Sequence, residues 1–309
     1  MARRSLDGAM AEDDTTDTEV SVSEVNGDTT MITPGSEFVT TDLGRLHVQR
    51  AGAGPPVVLW HSLFVDSRSW GPLVEAMARG RTVHAIDGPS HGRSEPVHRD
   101  FTFEECVAAA IRALDGLGLT EPVDWVGNAW GGHVGIRIAA TAPSRLRTLT
   151  TIGTPVRGFT RREMWTKGRP LVEMYRFTGP TDFIVKQLSD SLLGPESVAA
   201  EQGRAATIME SFRSADRRGM LHAMRSMMLH RAGIADLLPR VAVPTLVVSV
   251  RDDVMGWRPD EARRTCAVIP DCRVEEAAGT GHISPLLIDR ERIVRLITDF
   301  WTAHCGHGC

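Results

Sequence analysis

The hydrophobic positions of the chain fall into short runs whose spacing changes along the sequence. In EFVTTDLGRLHVQRAG, apolar and polar residues alternate on both sides of Asp42, Leu43 and Gly44, which predicts a β-hairpin. The next run, PPVVLWHS, is continuously apolar, as expected of a strand buried on both faces. The chain therefore begins its folded part with strands, near residue 36.

Strand and helix patterns then alternate. Strands are predicted in RTVHAID, PVDWVG and LRTLTTIG, and helices in RSWGPLVEAMARG, HVGIRIAATAP and FTFEECVAAAIRALDGLGL, the last with Thr102 as a candidate N-cap. After residue 238 the alternation resumes with strands in PTLVVSV and CRVEEA and helices in DEARRTCAVI and RERIVRLITDFWTAH. This alternation predicts an α/β fold with a mostly parallel sheet covered by helices on both faces.

The interval between the two alternating parts, residues 155–238, has helical periodicity and no convincing strand. We therefore predict a helical cap inserted into a core formed by residues 36–154 and 239–303. Residues 1–35 are rich in Asp, Glu, Thr and Ser, which predicts a disordered acidic tail. Residues 304–309 are expected to form a flexible C-terminus.

Composition narrows the classes of partner. The 309 residues carry a formal net charge of −4, which gives no basic surplus for binding nucleic acid. No apolar run approaches the length of about 18 residues that spans a bilayer, and the N-terminus lacks the apolar stretch of a signal peptide. We therefore expect a cytoplasmic protein that acts on a small molecule and binds neither membrane nor nucleic acid.

Cysteine and histidine do not predict a disulfide framework or a metal centre. The five cysteines are scattered and odd in number, so most are expected to be small buried apolar residues. The segment from His304 to Cys309 brings soft ligands together, but no second cluster completes a tetrahedral site. Nucleotide-binding glycine motifs do not follow the first strand, and no cofactor is predicted.

Chemically informative residues follow the predicted strands. One strand runs into His61, Ser62 and Leu63, and others run into Arg251-Asp252-Asp253 and Gly281-His282. The stretch VGNAWGGHVG, residues 126–135, has a strand, a tight turn and the glycine-rich start of a helix. Since ligands bind at the carboxyl ends of the strands of an open parallel sheet, we expect these residues to share one site.

These motifs, in this order, resemble the α/β-hydrolase fold over essentially all of residues 36–303, and its branch with a helical cap most of all. That branch includes esterases, epoxide hydrolases and carbon–carbon bond hydrolases. The resemblance implies the order nucleophile, acid, histidine at position 129, Asp253 and His282, with Asp252 as a competing acid. It also implies an oxyanion hole formed by the backbone N–H groups of Leu63 and Trp130. Ala129 stands where this fold has a nucleophile, usually serine.

Several further side chains are candidates for contact with a substrate, namely His61, Ser62, Trp130, Met224 and Met228. The methionines at 220, 224, 227 and 228 share one helical face, which predicts core packing of the cap with part of the face lining a pocket. The cap arginines at 161, 162, 169 and 176 are expected to be solvated, with one of them available to a substrate carboxylate.

Three functional hypotheses remain open on the sequence. The first is a carboxylic ester hydrolase or lactonase for a small, largely apolar ester, with an aromatic monoester such as a monoalkyl phthalate as one candidate; with Ala129, by design or by natural divergence, it is expected to be inactive in covalent hydrolysis. The second is a non-covalent lyase, cyclase, isomerase or cofactor-free oxygenase that uses a His282–Asp253 dyad. The third is a ligand-binding pseudo-hydrolase.

Overall fold

The computed structural model describes residues 35–304, and one sheet organises them. Its eight strands are β1 Gly35–Thr41, β2 Gly44–Ala51, β3 Pro56–Trp60, β4 Thr82–Ile86, β5 Val123–Asn128, β6 Leu146–Ile152, β7 Thr245–Val250 and β8 Cys272–Ala277. They are ordered β1-β2-β4-β3-β5-β6-β7-β8. The hairpin β1–β2 and the pair β2–β4 are antiparallel, and all other pairs are parallel. The predicted hairpin and mostly parallel sheet are confirmed.

Helices connect the strands and form the insertion. The α-helices are α1 Pro72–Ala78, α2 Phe103–Gly116, α3 Trp130–Thr141, α4 Arg161–Glu163, α5 Arg169–Thr178, α6 Asp182–Leu192, α7 Pro195–Ala200, α8 Gln202–Ser214, α9 Arg217–Met224, α10 Pro259–Cys266, α11 Ser284–Ile288 and α12 Arg290–His304. Short 3₁₀ turns lie at Ser67–Trp70, Pro143–Arg145 and Ala235–Arg240. Two π-helical segments, Met164–Gly168 and Arg225–Leu229, interrupt the insertion.

Two groups of helices cover the sheet. Helix α2 packs on α3, which lies against β5 and β6, whereas α1 packs on α12, which also reaches β6. Strands β5 and β7 are buried at every residue because they are covered from both sides, which explains their continuously apolar sequences. The predicted doubly covered sheet is thus confirmed.

Helix α2 illustrates why the sequence folds as predicted. The Thr102 side chain accepts a hydrogen bond from the Glu105 N–H, and the Glu105 carboxylate accepts one from the Thr102 N–H. This capping box satisfies two N–H groups that the first turn leaves without partners. Apolar residues at helical spacing, Phe103, Cys106, Ala109, Ala110, Ala113 and Leu114, then bury one face.

The predicted helical insertion is present, with helices α4 to α9 following β6 and preceding β7. The predicted tail, apart from Gly35, and the C-terminal segment with Cys305 and Cys309 lie outside the described residues. Of the other cysteines, Cys106 and Cys266 are buried and Cys272 is partly buried, and none of these three forms a disulfide. Within residues 35–304, no helix has both the length and the apolar character that crossing a bilayer requires.

Candidate active site

Ala129 occupies a tight turn between the end of β5 and the start of α3. Its backbone angles are φ 46° and ψ −97°, and its N–H donates to the Ile152 carbonyl oxygen at 2.9 Å. A positive φ is unfavourable for a residue with a Cβ and costs on the order of 1–3 kcal/mol. The turn therefore points the side chain at 129 away from both elements at the expense of local backbone strain.

The glycines on either side of the turn leave room for it to close. A Cβ at Gly127 would overlap the backbone of Gly131, and a Cβ at Gly131 would overlap the carbonyl group of Trp60. The N–H of Gly131 also donates to the His61 carbonyl oxygen at 3.1 Å. The start of helix α3 therefore packs closely against the end of strand β3, which leads into the loop that contains Leu63.

The two other members of the predicted triad lie together. His282 Nδ1 is 3.3 Å from Asp253 Oδ2, at the long end of the hydrogen-bonding range. The other carboxylate oxygen of Asp253 accepts a hydrogen bond from the Met255 N–H at 2.6 Å. Asp253 is 1% exposed, whereas the competing Asp252 is exposed to solvent. The structure places Asp253, rather than Asp252, beside the histidine.

Asn128, which the sequence analysis did not single out, connects the turn to the histidine loop. Its Nδ2 group donates to the carbonyl oxygens of Ile152 and His282, both at 2.9 Å. These two acceptors come from the strand next to β5 and from a loop 154 residues further along the chain. Asn128 therefore holds the His282 backbone at a fixed distance from the turn that carries Ala129.

The two residues predicted to form the oxyanion hole, Leu63 and Trp130, line the same cavity. Trp130 is the first residue of α3, so its N–H has no acceptor within the helix, and the positive end of the helix dipole lies there. Among the described residues, neither the Trp130 N–H nor the Leu63 N–H donates to a protein acceptor. Both residues line one cavity with Ala129 and His282. Two free N–H donors at such a place can stabilise a negatively charged oxygen.

Two buried histidines fasten the loop that carries Leu63. His61 donates from Nδ1 to the Ser62 carbonyl oxygen at 2.7 Å, and its Nε2 accepts from the Gly88 N–H at 2.8 Å. His91 Nε2 accepts from the Phe64 N–H at 3.2 Å. Burial lowers the pKa of His61, and burial together with the nearby His61 lowers the pKa of His91 to about 3. Both imidazoles are therefore neutral supports of the loop.

The cavity has a volume of about 180 Å³ and mostly apolar walls. A dry cavity of about 150 Å³ can hold a benzene molecule, so this one accommodates an aromatic ring or a short alkyl chain. Its lining residues are Ser62, Leu63, Phe64, Phe103, Ala129, Trp130, His133, Pro155, Phe159, Lys167, Gly168, Leu171, Leu188, Ser191, Leu192, Met227, Met228, Arg231, Met255 and His282. The sheet contributes the polar atoms that could react, and the insertion contributes most of the apolar wall.

Three of the five predicted substrate contacts, Ser62, Trp130 and Met228, lie on the cavity wall, and two do not. His61 is fully buried behind Ser62, where it binds backbone groups. Met224, the last residue of the regular helix α9, is fully buried in the core. Met227 and Met228, in the π-helical segment that follows, reach the cavity.

The arginines of the insertion divide into two groups. Those named from the sequence, Arg161, Arg162, Arg169 and Arg176, are exposed and lie off the cavity wall. Arg231, which follows the second π-helical segment, does line the cavity. No feature of the sequence separates Arg231 from the others, because its place on the cavity wall arises only when the insertion folds. In the part of the chain that the structure describes, no group of three or more His, Cys, Asp or Glu side chains is arranged to hold a metal ion.

Comparison with known proteins gives consistent results. The profile of the alpha/beta hydrolase family matches residues 57–296. The pimeloyl-(acyl-carrier protein) methyl ester esterase of Stenotrophomonas maltophilia is 26% identical over 268 residues, which cover 84% of this chain and 97% of that protein.

Two solved structures share the fold. A thermophilic esterase from Thermogutta terrifontis superposes with a TM-score of 0.78 at 24% identity, covering 87% of this chain and 99% of that one. The enol-lactonase from Burkholderia xenovorans LB400 superposes with a TM-score of 0.77 at 23% identity, covering 86% of this chain and 100% of that one. At such identities the likeness concerns the fold alone.

Proposed function

This chain belongs to the alpha/beta hydrolase family, and from that premise we propose that it is built as a carboxylic ester hydrolase in which Ala129 occupies the position of the nucleophile. The proposed substrate is a small, largely apolar ester or lactone. As the sequence stands, the chain binds such an ester without forming an acyl-enzyme.

The conformation of Ala129 is the observation that carries this proposal. An alanine has no local reason to adopt φ 46°, because the left-handed region offers it neither a side-chain hydrogen bond nor the freedom of glycine. The strain is explained if the turn exists to present a side chain to the cavity, opposite His282. A hydroxyl group at this position is what the surrounding groups are arranged to use.

The chemistry follows from the neighbouring groups if residue 129 is serine. The serine oxygen attacks the ester carbonyl carbon while His282 takes the proton from the serine hydroxyl group. Asp253 stabilises the resulting imidazolium through Nδ1. The carbonyl oxygen becomes negatively charged and accepts hydrogen bonds from the N–H groups of Leu63 and Trp130. Collapse of this intermediate expels the alcohol, which takes the proton back from His282, and water then releases the acid by the same route.

With alanine at 129 the covalent route is closed. Removing the nucleophile of a triad lowers kcat by a factor on the order of 10⁶, and what remains comes from binding and from the oxyanion donors. The cavity, its donors and the His282–Asp253 pair stay in place, so binding of an ester does not depend on the missing hydroxyl group.

The direct experiment is Ala129→Ser, assayed with p-nitrophenyl esters of acetate, butyrate and hexanoate. We expect kcat/KM to rise by a factor of at least about 10⁴ over the chain with Ala129. Ala129→Gly is the matched control, since it relieves the backbone strain without adding a nucleophile and should stay inactive. A serine variant that is folded and inert across esters, thioesters and lactones contradicts the proposal.

The finer substrate class rests on the cavity and on the family. The walls of the cavity are mostly apolar, and the cavity volume suits one ring or a short chain. Ester and lactone hydrolysis are named for the Thermogutta and Burkholderia proteins, and a methyl ester is the substrate named for the Stenotrophomonas protein. An aromatic monoester such as a monoalkyl phthalate is the substrate that we propose to test first.

A second function is favoured by one observation, the assembly of a buried His282–Asp253 pair although residue 129 carries no hydroxyl group for it to activate. Such a dyad can remove a proton from a substrate or from water while the N–H donors stabilise an enolate. This would be lyase, cyclase, isomerase or cofactor-free oxygenase chemistry with Ala129 as the working residue. Turnover by the chain as it stands, lost in His282→Ala, would identify it. Binding of ligand without any turnover, unchanged in His282→Ala, would instead indicate a pseudo-hydrolase.

A further inference from the structure

Arg231 places a positive charge on the wall of the reaction cavity. It follows the π-helical segment Arg225–Leu229 and lines the same cavity as Ala129, Leu63 and His282. Its guanidinium Nη1 group donates to His133 Nε2 at 2.7 Å and approaches the Pro155 carbonyl oxygen at 3.4 Å. The ring centre of Phe159 lies 5.7 Å from its Cζ atom.

No carboxylate neutralises this guanidinium within the protein that the structure describes, since Arg231 has no Asp or Glu oxygen within the 4.0 Å of an ion pair. The nearby Arg157 provides a contrast. Its two terminal nitrogens are paired with the two carboxylate oxygens of Glu163 at 2.8 and 3.0 Å. Glu163, the acid whose charge acts on Arg231, is thus already ion-paired with another arginine.

His133 cannot supply the missing negative charge. Burial, and then the charges of Arg231 and Arg137, lower the pKa of His133 well below its usual value, so the ring is neutral and accepts the arginine's hydrogen bond at Nε2. Burial, with Arg157 and Arg137 adding to it, lowers the pKa of Arg231 to about 10. The guanidinium is still protonated at neutral pH.

Arg231 is half-buried. A charge that is partly withdrawn from water without an ion-pair partner is costly, and one that lines a cleft is a candidate to be completed by a ligand. The cavity walls are mostly apolar, with Lys167 as the other cationic side chain in the lining, so an anion in the cavity would find the guanidinium only partly hydrated. Arginine binds a carboxylate through two parallel N–H···O bonds, which fixes the orientation of the anion as well as its position.

We propose that Arg231 binds a free carboxylate of the substrate, so that the esters accepted here are monoesters of dicarboxylic acids. This inference rests on the proposed ester hydrolase function and adds the residue that selects among esters. The N–H groups of Leu63 and Trp130 hold the ester carbonyl, and Arg231 holds the acid group at its own place on the cavity wall, beside His133. Selection then depends on the spacing between ester and acid groups.

Binding to the chain as it stands tests the inference without any need for turnover. The probes are monobutyl phthalate and butyl 2-carbamoylbenzoate, which replaces the carboxylate by a neutral amide of the same shape. By isothermal titration calorimetry we expect the acid to bind about 10- to 100-fold more tightly than the amide, as for other charge-assisted contacts. Arg231→Gln should reduce this ratio to less than threefold, and Arg231→Lys should keep part of it.

Arg169→Gln is the matched control, because Arg169 is an exposed arginine of the same insertion, stacked on Trp165 at 4.4 Å and away from the cavity. It should leave the ratio unchanged. Unaltered affinity of Arg231→Gln for the amide probe shows that the cavity is still folded. Equal binding of acid and amide, binding of neither probe, or a ratio that survives in Arg231→Gln but disappears in Lys167→Gln would each overturn the assignment.

Kinetics in the Ala129→Ser background separate this inference from the function on which it rests. Arg231→Gln should lower kcat/KM for monobutyl phthalate about 10- to 100-fold while kcat/KM for p-nitrophenyl butyrate changes less than threefold. If Ala129→Ser hydrolyses neither ester, the hydrolase function fails although the binding ratio stands. If Ala129→Ser hydrolyses both esters but Arg231→Gln alters kcat/KM for the two by the same factor, only the role of Arg231 is contradicted.

Discussion

The sheet side and the cap side of the cavity are held in place by different means. The sheet side, Ala129 with Asp253 and His282, sits just past strand ends and is tied by hydrogen bonds to neighbouring backbone, as between the Ala129 N–H and the Ile152 carbonyl. The cap side, including Leu171, Leu188, Met227, Met228 and Arg231, presents side chains from helices and their π-helical interruption.

This difference separates two properties of the proposed enzyme. Groups fixed by the sheet act on the ester carbonyl that every substrate shares, so their loss should lower activity towards all esters alike. Groups on the insertion touch the parts in which substrates differ, so their loss should change preference among esters and leave the chemistry intact. Each of the following predictions tests this division, beginning with the largest effect.

Removing the histidine should produce the largest loss. In the Ala129→Ser background, His282→Ala should lower kcat by a factor on the order of 10⁶, and Asp253→Asn by about 10⁴, because the base is lost or left in the wrong tautomer. The loss should be the same for acetate and hexanoate esters of p-nitrophenol. Asp252→Asn is the control, since Asp252 is exposed and should tolerate the change. A greater loss for Asp252 than for Asp253 would reverse the assignment.

A second prediction compares backbone packing on the two sides. Gly131→Ala places a methyl group against the Trp60 carbonyl beneath the turn, and should lower the free energy of unfolding by about 3 kcal/mol. Gly203→Ala, in helix α8 of the insertion, meets nothing within 4 Å and should raise it by about 0.5 kcal/mol. Urea titration followed by circular dichroism measures both. Equal effects of the two alanines would show that the turn is not packed as tightly as described.

The smallest effect is expected on the cap wall. Met228→Ala enlarges the cavity, so hexanoate should gain over acetate in kcat/KM by about 3- to 10-fold in the Ala129→Ser background. Phe177→Ala is the control, because that side chain is 74% exposed and lies off the cavity. A parallel loss for both esters, without a change of preference, would mean that Met228 supports the reacting groups rather than the substrate chain.

The sheet side was largely predictable from the sequence. Strand periodicity located β3, β5, β7 and β8, and the strand ends identified the residues that the fold gathers at one edge, including Ala129, Asp253 and His282. Asn128 was missed although it lies within the turn. The two carbonyl groups to which it donates lie 24 and 154 residues away along the chain, and such distant contacts cannot be predicted from a local motif.

The cap side was predictable only as helical. A methionine pattern at helical spacing assumes a regular helix, whereas a π-helical segment follows Met224; Met227 and Met228 line the cavity and Met224 does not. Arg231 looks in the sequence like the exposed arginines of the same insertion. It differs from them in being half-buried on the cavity wall without an acidic partner, which arises from tertiary packing and not from any local property of the chain.

The central claim is that position 129 is the nucleophile's position in an intact hydrolase site. The most direct measurement is intact-protein and peptide mass spectrometry after exposure to an alkyl fluorophosphonate, which loses fluoride when an activated serine oxygen attacks its phosphorus atom. The Ala129→Ser protein should gain one phosphonyl group on Ser introduced at 129, whereas the chain with Ala129 and the Ala129→Ser/His282→Ala double variant should gain none. An unlabelled but folded Ala129→Ser protein, or labelling that does not depend on His282, would contradict the account.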